Sequence, residues 1–132
     1  MADSGAISLD ECWRLLGLAG VGRVALSVDA LPVVLPVRYV VDGPEVAMCL
    51  GEGPVPSRAA HEAIVALAVD ELDPRSHVGW YVHAVGMARM VPGPDRPPDG
   101  TGDDAGLVVA RMTPTIVRGR RVRLQAPPPA GG

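Results

Sequence analysis

The hydrophobic period of the chain changes at Gly22, and that change constrains the fold more than any other feature. From there to Leu50 apolar side chains recur at every second position. Val24, Leu26 and Val28 come first, then Val33, Leu35, Val37, Tyr39 and Val41, then Val46, Met48 and Leu50. A period of two puts alternate side chains on opposite faces of an extended chain, so each stretch predicts a half-buried strand. Asp29-Ala30-Leu31 separates the first two stretches, and Asp42-Gly43, a hairpin signal, separates the next two. Pro36 lies inside the second strand and has no N–H to give a ladder, so it marks a sheet edge or a bulge.

Ahead of these strands the pattern is helical. Ser8-Leu9-Asp10-Glu11 fits a capping box, in which Ser8 accepts from the Glu11 amide and Glu11 reaches back to Ser8. Ile7 and Cys12 are spaced as a hydrophobic staple, Leu9, Cys12, Trp13 and Leu16 recur at helical spacing, and Gly17 and Gly20 end the helix. After Leu50, residues 51–56 read as a loop, and Ser57 caps a short helix over residues 58–62. Ile64 to Val69 and Val78 to Val91 read as strands, the second with Gly79 and Gly86 marking bends or close backbone approach. Residues 92–106 are rich in Pro, Gly and Asp and predict a mobile loop. Leu107 to Met112 and Ile116 to Leu124 read as two closing strands, and residues 125–132 as a disordered tail. A single domain over residues 1–124 follows, antiparallel and barrel-like, with few helices.

Composition narrows the function classes. Of 132 residues 48% are hydrophobic but only 3% aromatic, with no Phe, so valine must fill much of the core and favours sheet. The 12 basic residues, all Arg, against 15 acidic ones leave a net charge of −3, which argues against a nucleic-acid groove. No apolar run approaches the roughly 18 residues of a membrane span, and the acidic start lacks a signal peptide's pattern, so a cytoplasmic protein is expected. Cys12 and Cys49 are far apart and form no CxxC, so both are expected as buried thiols. His61-Glu62 begins like H-E-x-x-H, but Val65 stands where the second His is needed, so no zinc motif forms. The Gly17, Gly20 and Gly22 cluster has the wrong spacing for a dinucleotide loop, and a phosphate loop lacks its Lys.

The order of four segments carries a resemblance: SLDECWRLL, VGRVALSVDALPVVLPVRYVVDG, VALAVDELDPRSHVGWYVHAVGMARMV and ARMTPTIVRGRRV. It resembles the pyridoxamine 5′-phosphate oxidase-like family of the FMN-binding split-barrel superfamily, in its short actinobacterial type. The resemblance implies a six-stranded antiparallel split barrel with an N-terminal helix and one short helix. It also implies a homodimer, with FMN or a deazaflavin and a small-molecule ligand in each of two clefts between the subunits.

Carried over residue by residue, the family's PVNY strand becomes Pro36-Val37-Arg38-Tyr39, implying that Pro36, Arg38 and Tyr39 line the flavin, with Arg where the family has Asn. The polar strand end becomes Cys49-Leu50, and the phosphate-holding Lys is replaced by Ser57 and Arg58. The family's GW strand becomes Gly79-Trp80-Tyr81-Val82, implying that Trp80 and Tyr81 reach the partner's cofactor. Tyr81 and His83 share one face of that strand and are proton-donor candidates by proximity; the catalytic residues stay unassigned. Val109 stands where a flavin-contacting Trp is frequent. Two functions follow from the resemblance. One is a flavin- or deazaflavin-dependent oxidoreductase transferring hydride to or from a small conjugated molecule. The other is a non-enzymatic split-barrel dimer, free of flavin, that binds another small ligand or a protein partner.

Overall fold

Helix α1 (Leu9–Ala19) starts where Ser8, in extended conformation, accepts a hydrogen bond from the Glu11 amide at 3.2 Å. Only half of the capping box forms, because the Glu11 carboxylate turns to Arg14 one turn on, with contacts of 2.5 and 2.7 Å. Gly20, at φ 73°, stops the helix in the left-handed conformation that glycine adopts without penalty. In the computed structural model, which describes residues 5–50, 60–91 and 109–131, six strands follow. They are β1 (Val21–Val28), β2 (Leu31–Asp42), β3 (Glu45–Cys49), β4 (Ala63–Leu72), β5 (Val78–Met90) and β6 (Val109–Arg123).

All pairings are antiparallel, and the order β1-β2-β3-β6-β5-β4 closes into a barrel where β4 returns to β1. The β1–β2 turn has positive φ at both Asp29 (50°) and Ala30 (67°), the pattern of a type I′ hairpin. Residues 31–37 of β2 pair with β1 alone among the described residues, because β3 joins β2 only from Arg38 onward. Pro36 thus sits on a free edge, as its missing N–H requires.

The two closing strands expected at the C-terminus are one strand. β6 passes Pro114 on a bulge: Val85 faces Ile116 and Gly86 faces Pro114, leaving Thr115 unpaired. The bulge absorbs the proline, so the ladder continues on both sides of it. Gly86 and Gly79 mark close approach, as expected. A Cβ on Gly86 would meet the Thr113 carbonyl oxygen, and one on Gly79 the Glu71 carbonyl oxygen.

Inside the barrel Val24, Leu67, Val82, Met48 and Met112 are fully buried, and no polar or charged residue is buried among the described ones. Helix α1 closes one end with Cys12 and Leu16 at 0% exposure. Truncating Leu16 to Ala would open a cavity costing roughly 2–5 kcal/mol. Tyr39 joins helix to barrel: its hydroxyl donates to the Leu16 carbonyl at 2.6 Å and its amide to the Gly20 carbonyl at 3.0 Å. Cys12 is a buried thiol as expected; Cys49 is likewise outside any disulfide but only half-buried.

Of the short helix expected at residues 58–62, the described part is a single 3-10 residue at Ala60 and a bend at His61 and Glu62. Ser57, Arg58 and the loops expected at 51–56 and 92–106 lie outside the described residues.

Candidate functional site

Every strand of the barrel turns one set of side chains inward and the other outward, and the registers arrange the outward set in rows. One row crosses five strands: Val34 faces Ala25, Ala25 faces Ala66, Ala66 faces Val85, and Val85 faces Ile116. All five are apolar, yet Val34 is 60% and Ile116 42% exposed. Beside them Ile64 and Met87 face each other and are also exposed. Five strands at about 4.8 Å spacing make this belt roughly 19 Å wide.

The next row along the strands changes character. Pro36 faces Arg23, Arg23 faces Ala68, Ala68 faces His83, and His83 faces Arg118. In the row beyond, Arg38 faces Val21, while Asp70 and Arg120 both face Tyr81. The Tyr81 and His83 rings lie 4.6 Å apart, tilted by 31°. Arg23 and Asp70 approach to 3.7 Å.

Four arginines, Arg23, Arg38, Arg118 and Arg120, lie on this part of the surface, and Asp70 pairs with Arg23. Elsewhere on the outward face arginines and carboxylates pair. Arg89 holds Glu45 at 2.8 Å, Arg111 holds Asp42 at 3.0 Å and Glu45 at 3.5 Å, and Thr113 donates to Glu45 at 3.2 Å. The Arg89 hydrogen bond, with help from Thr113 and Arg111, keeps the Glu45 carboxyl below its ordinary range.

The residues expected to form the site do not all come together. Pro36, Arg38 and Cys49 share an outward patch, with Arg38 directly opposite Cys49 and the half-buried Leu50 next along the chain. Tyr81 also points outward, but β1 and β4 intervene, so about 14 Å of sheet separates it from β2. Trp80 has the opposite parity and packs against the core. Tyr39 is buried at 5% exposure with its hydroxyl committed to α1, and burial pushes that hydroxyl's pKa up. Ser57 and Arg58, the expected phosphate anchor, lie outside the described residues.

Comparison with known proteins decides the family. Residues 8–102 match the model of a pyridoxamine 5′-phosphate oxidase family. The chain belongs to this family. A relative, an uncharacterized protein of Mycobacterium tuberculosis, is 37% identical over 92 residues, which is 66% of this chain. That stretch spans 60% of the relative's own length. An FAD-binding protein of Mycobacterium smegmatis superposes with a TM-score of 0.67 at 30% identity, covering 89% of this chain and 97% of that one. An FAD-binding protein of Mesorhizobium loti has the same fold, with a TM-score of 0.66 at 22% identity over 89% of this chain and 96% of that one. The six-stranded split barrel implied by the sequence resemblance is thus the fold of this family member.

Sequence reading missed the cluster of Arg23, Ala68, Arg118 and Arg120 around Tyr81 and His83. The signal was present in VRGRRVR, whose alternation puts Arg118 and Arg120 on one face with Gly119 turned inward. What it lacked was the register that sets those arginines against β5. Among the described residues no helix is long and apolar enough to cross a membrane.

Proposed function

We propose that the chain is a flavin-binding oxidoreductase that works as a homodimer, with flavin and a small conjugated substrate in the cleft between two copies. The observation that carries this reading is the layout of the outward face. Two polar half-sites, Pro36, Arg38 and Cys49 on β2 and β3 and Tyr81 and His83 on β5, lie along one side of an apolar belt, with β1 and β4 between them. Water contact makes the belt unfavourable by about 25 cal/mol per Å² of apolar surface, so pairing it with a second copy is the expected relief. A two-fold axis through the belt pairs unlike patches reciprocally. The β2–β3 half-site of each copy then meets the β5 half-site of the other, giving two equivalent clefts.

The residues present suit a flavin. Arg38, exposed on the rim, offers a fork of donors for a phosphate or a ring carbonyl. The partner's Tyr81 would supply an aromatic wall, and the apolar belt would exclude water from the cleft. A bound flavin supplies the hydride chemistry, which no side chain of the chain can perform. The FAD-binding relative at 30% identity favours FAD over FMN or a deazaflavin as the resident form.

The test is an equilibrium titration of FAD, FMN and a deazaflavin into wild type, Arg38→Gln and Val85→Glu. Tight binding to wild type is expected. Arg38→Gln should lose one charge-assisted contact, about 1.5–3 kcal/mol, or roughly ten- to a hundredfold in affinity. Val85→Glu puts a charge into the belt and should give monomers that bind no flavin. Absence of binding by wild type would return the chain to the cofactor-free dimer.

A further inference from the structure

The arginine-rich part of the outward face has a shape as well as a charge. Ala68 and His83 are directly paired and half-buried, and they form a floor. Arg23 stands beside Ala68 on β1, and Arg118 stands beside His83 on β6, so the floor has a guanidinium on each side. Both arginines are exposed along the outward face. The Tyr81 ring, 4.6 Å from His83, extends the floor as an aromatic surface. Ala68 matters because a methyl group leaves open the space above the floor that a longer side chain would fill.

Two contrasts give this trough a specific chemistry. On the same outward face Arg89 and Arg111 are neutralised by Glu45 and Asp42. Around the trough, among the described residues, Asp70 offsets Arg23 at a loose 3.7 Å, and Arg118 has no ion-pair or hydrogen-bond partner. The site therefore offers two cations over a flat floor, which is complementary to a planar ring bearing an anionic group. Guanidinium groups bind carboxylates through paired N–H donors, and the ring pair offers a face for stacking.

We propose that this trough is the substrate subsite of the cleft and that it selects conjugated carboxylates over their neutral counterparts. The proposal rests on the flavin-dimer reading, since the trough borders the apolar belt and opens onto the cleft that the dimer would form. It assigns Arg118 and Arg23 as the specificity-determining pair, with His83 and Ala68 as the floor.

The experiment uses the full chain and two probes of equal shape, 2-naphthoate and 2-naphthamide, titrated calorimetrically at low ionic strength with and without saturating FAD. Wild type should bind the carboxylate at least tenfold more tightly than the amide, and added salt should erode the difference. Arg118→Gln should remove most of that preference, and Arg23→Gln should reduce it as a second, independent variant. Arg14→Gln, which breaks only the surface pair with Glu11 on α1, should keep it. Equal affinity for the two probes in wild type, or an undiminished preference in Arg118→Gln, would overturn the proposal. FAD binding is read separately from the flavin absorption spectrum. Flavin uptake without carboxylate preference refutes the subsite alone. Carboxylate preference without flavin uptake refutes the flavin reading, and with it the trough's assignment as a substrate subsite.

Discussion

Replacing Tyr39 by Phe removes one hydroxyl and leaves the ring in place. That hydroxyl donates to the Leu16 carbonyl at 2.6 Å, near the C-terminal end of α1, where helix carbonyls run out of partners. The bond itself contributes about 0.5–1.5 kcal/mol, and leaving a buried carbonyl short of a donor adds to the loss. We expect Tyr39→Phe to cost about 1–2 kcal/mol, a fall in Tm of roughly 4–8 °C for a domain of this size. The assay is thermal unfolding by circular dichroism at fixed protomer concentration, since any dimer ties Tm to concentration.

The pH dependence of the same variant follows from the raised pKa of the Tyr39 hydroxyl, caused chiefly by burial. The folded value lies above the unfolded one, so its stabilisation is complete below the unfolded pKa, about 10, and is lost as pH rises through the folded value. The gap between wild type and Tyr39→Phe should therefore close in strong alkali. Flavin affinity should stay within about twofold of wild type, because the ring faces the interior. An unchanged Tm would refute the strut, and a tenfold loss of flavin affinity would place Tyr39 in the site after all.

Three further outcomes follow from the fold. Ala30 occupies a left-handed position at φ 67°, so Ala30→Gly should raise stability by about 0.5–1 kcal/mol in urea unfolding, even after glycine's entropic penalty. Gly86→Ala drives a methyl into the Thr113 carbonyl oxygen opposite the β6 bulge, and should cost at least about 2–3 kcal/mol in the same assay. The Glu45 carboxyl has a depressed pKa, so its stabilisation is present above the unfolded carboxyl value and is lost as pH falls through the folded one. Glu45→Gln should accordingly flatten the acid limb of a Tm-versus-pH curve below about pH 4.5 and leave its alkaline limb unchanged.

Elements whose cause is local were legible in the sequence. The Ser8 cap, the Gly20 stop, the hairpins around Ala30 and Gly43 and the edge placement of Pro36 each depend on a few neighbouring residues. The break read at Pro114 was misplaced because a proline interrupts a strand only when no bulge absorbs it, and the bulge belongs to the β5–β6 pairing. The candidate site divided along the same line. Parity alone separates Tyr81 from Trp80, but it cannot say that Tyr39 spends its hydroxyl on α1, because Leu16 is 23 residues away. Nor can it assemble Val34, Ala25, Ala66, Val85 and Ile116 into one belt, since each lies on a different strand and only the register aligns them.

On the proposed reading, flavin sits in a cleft made by two copies of the chain. Light scattering coupled to gel filtration, with the flavin absorption recorded on the eluting peak, tests it in one run after incubation with excess FAD. Flavin should elute with a species of twice the 13.7 kDa chain mass, at one flavin per chain, and be absent from the Val85→Glu monomer. Flavin eluting with a 13.7 kDa monomer, or a dimer that carries none, would contradict it.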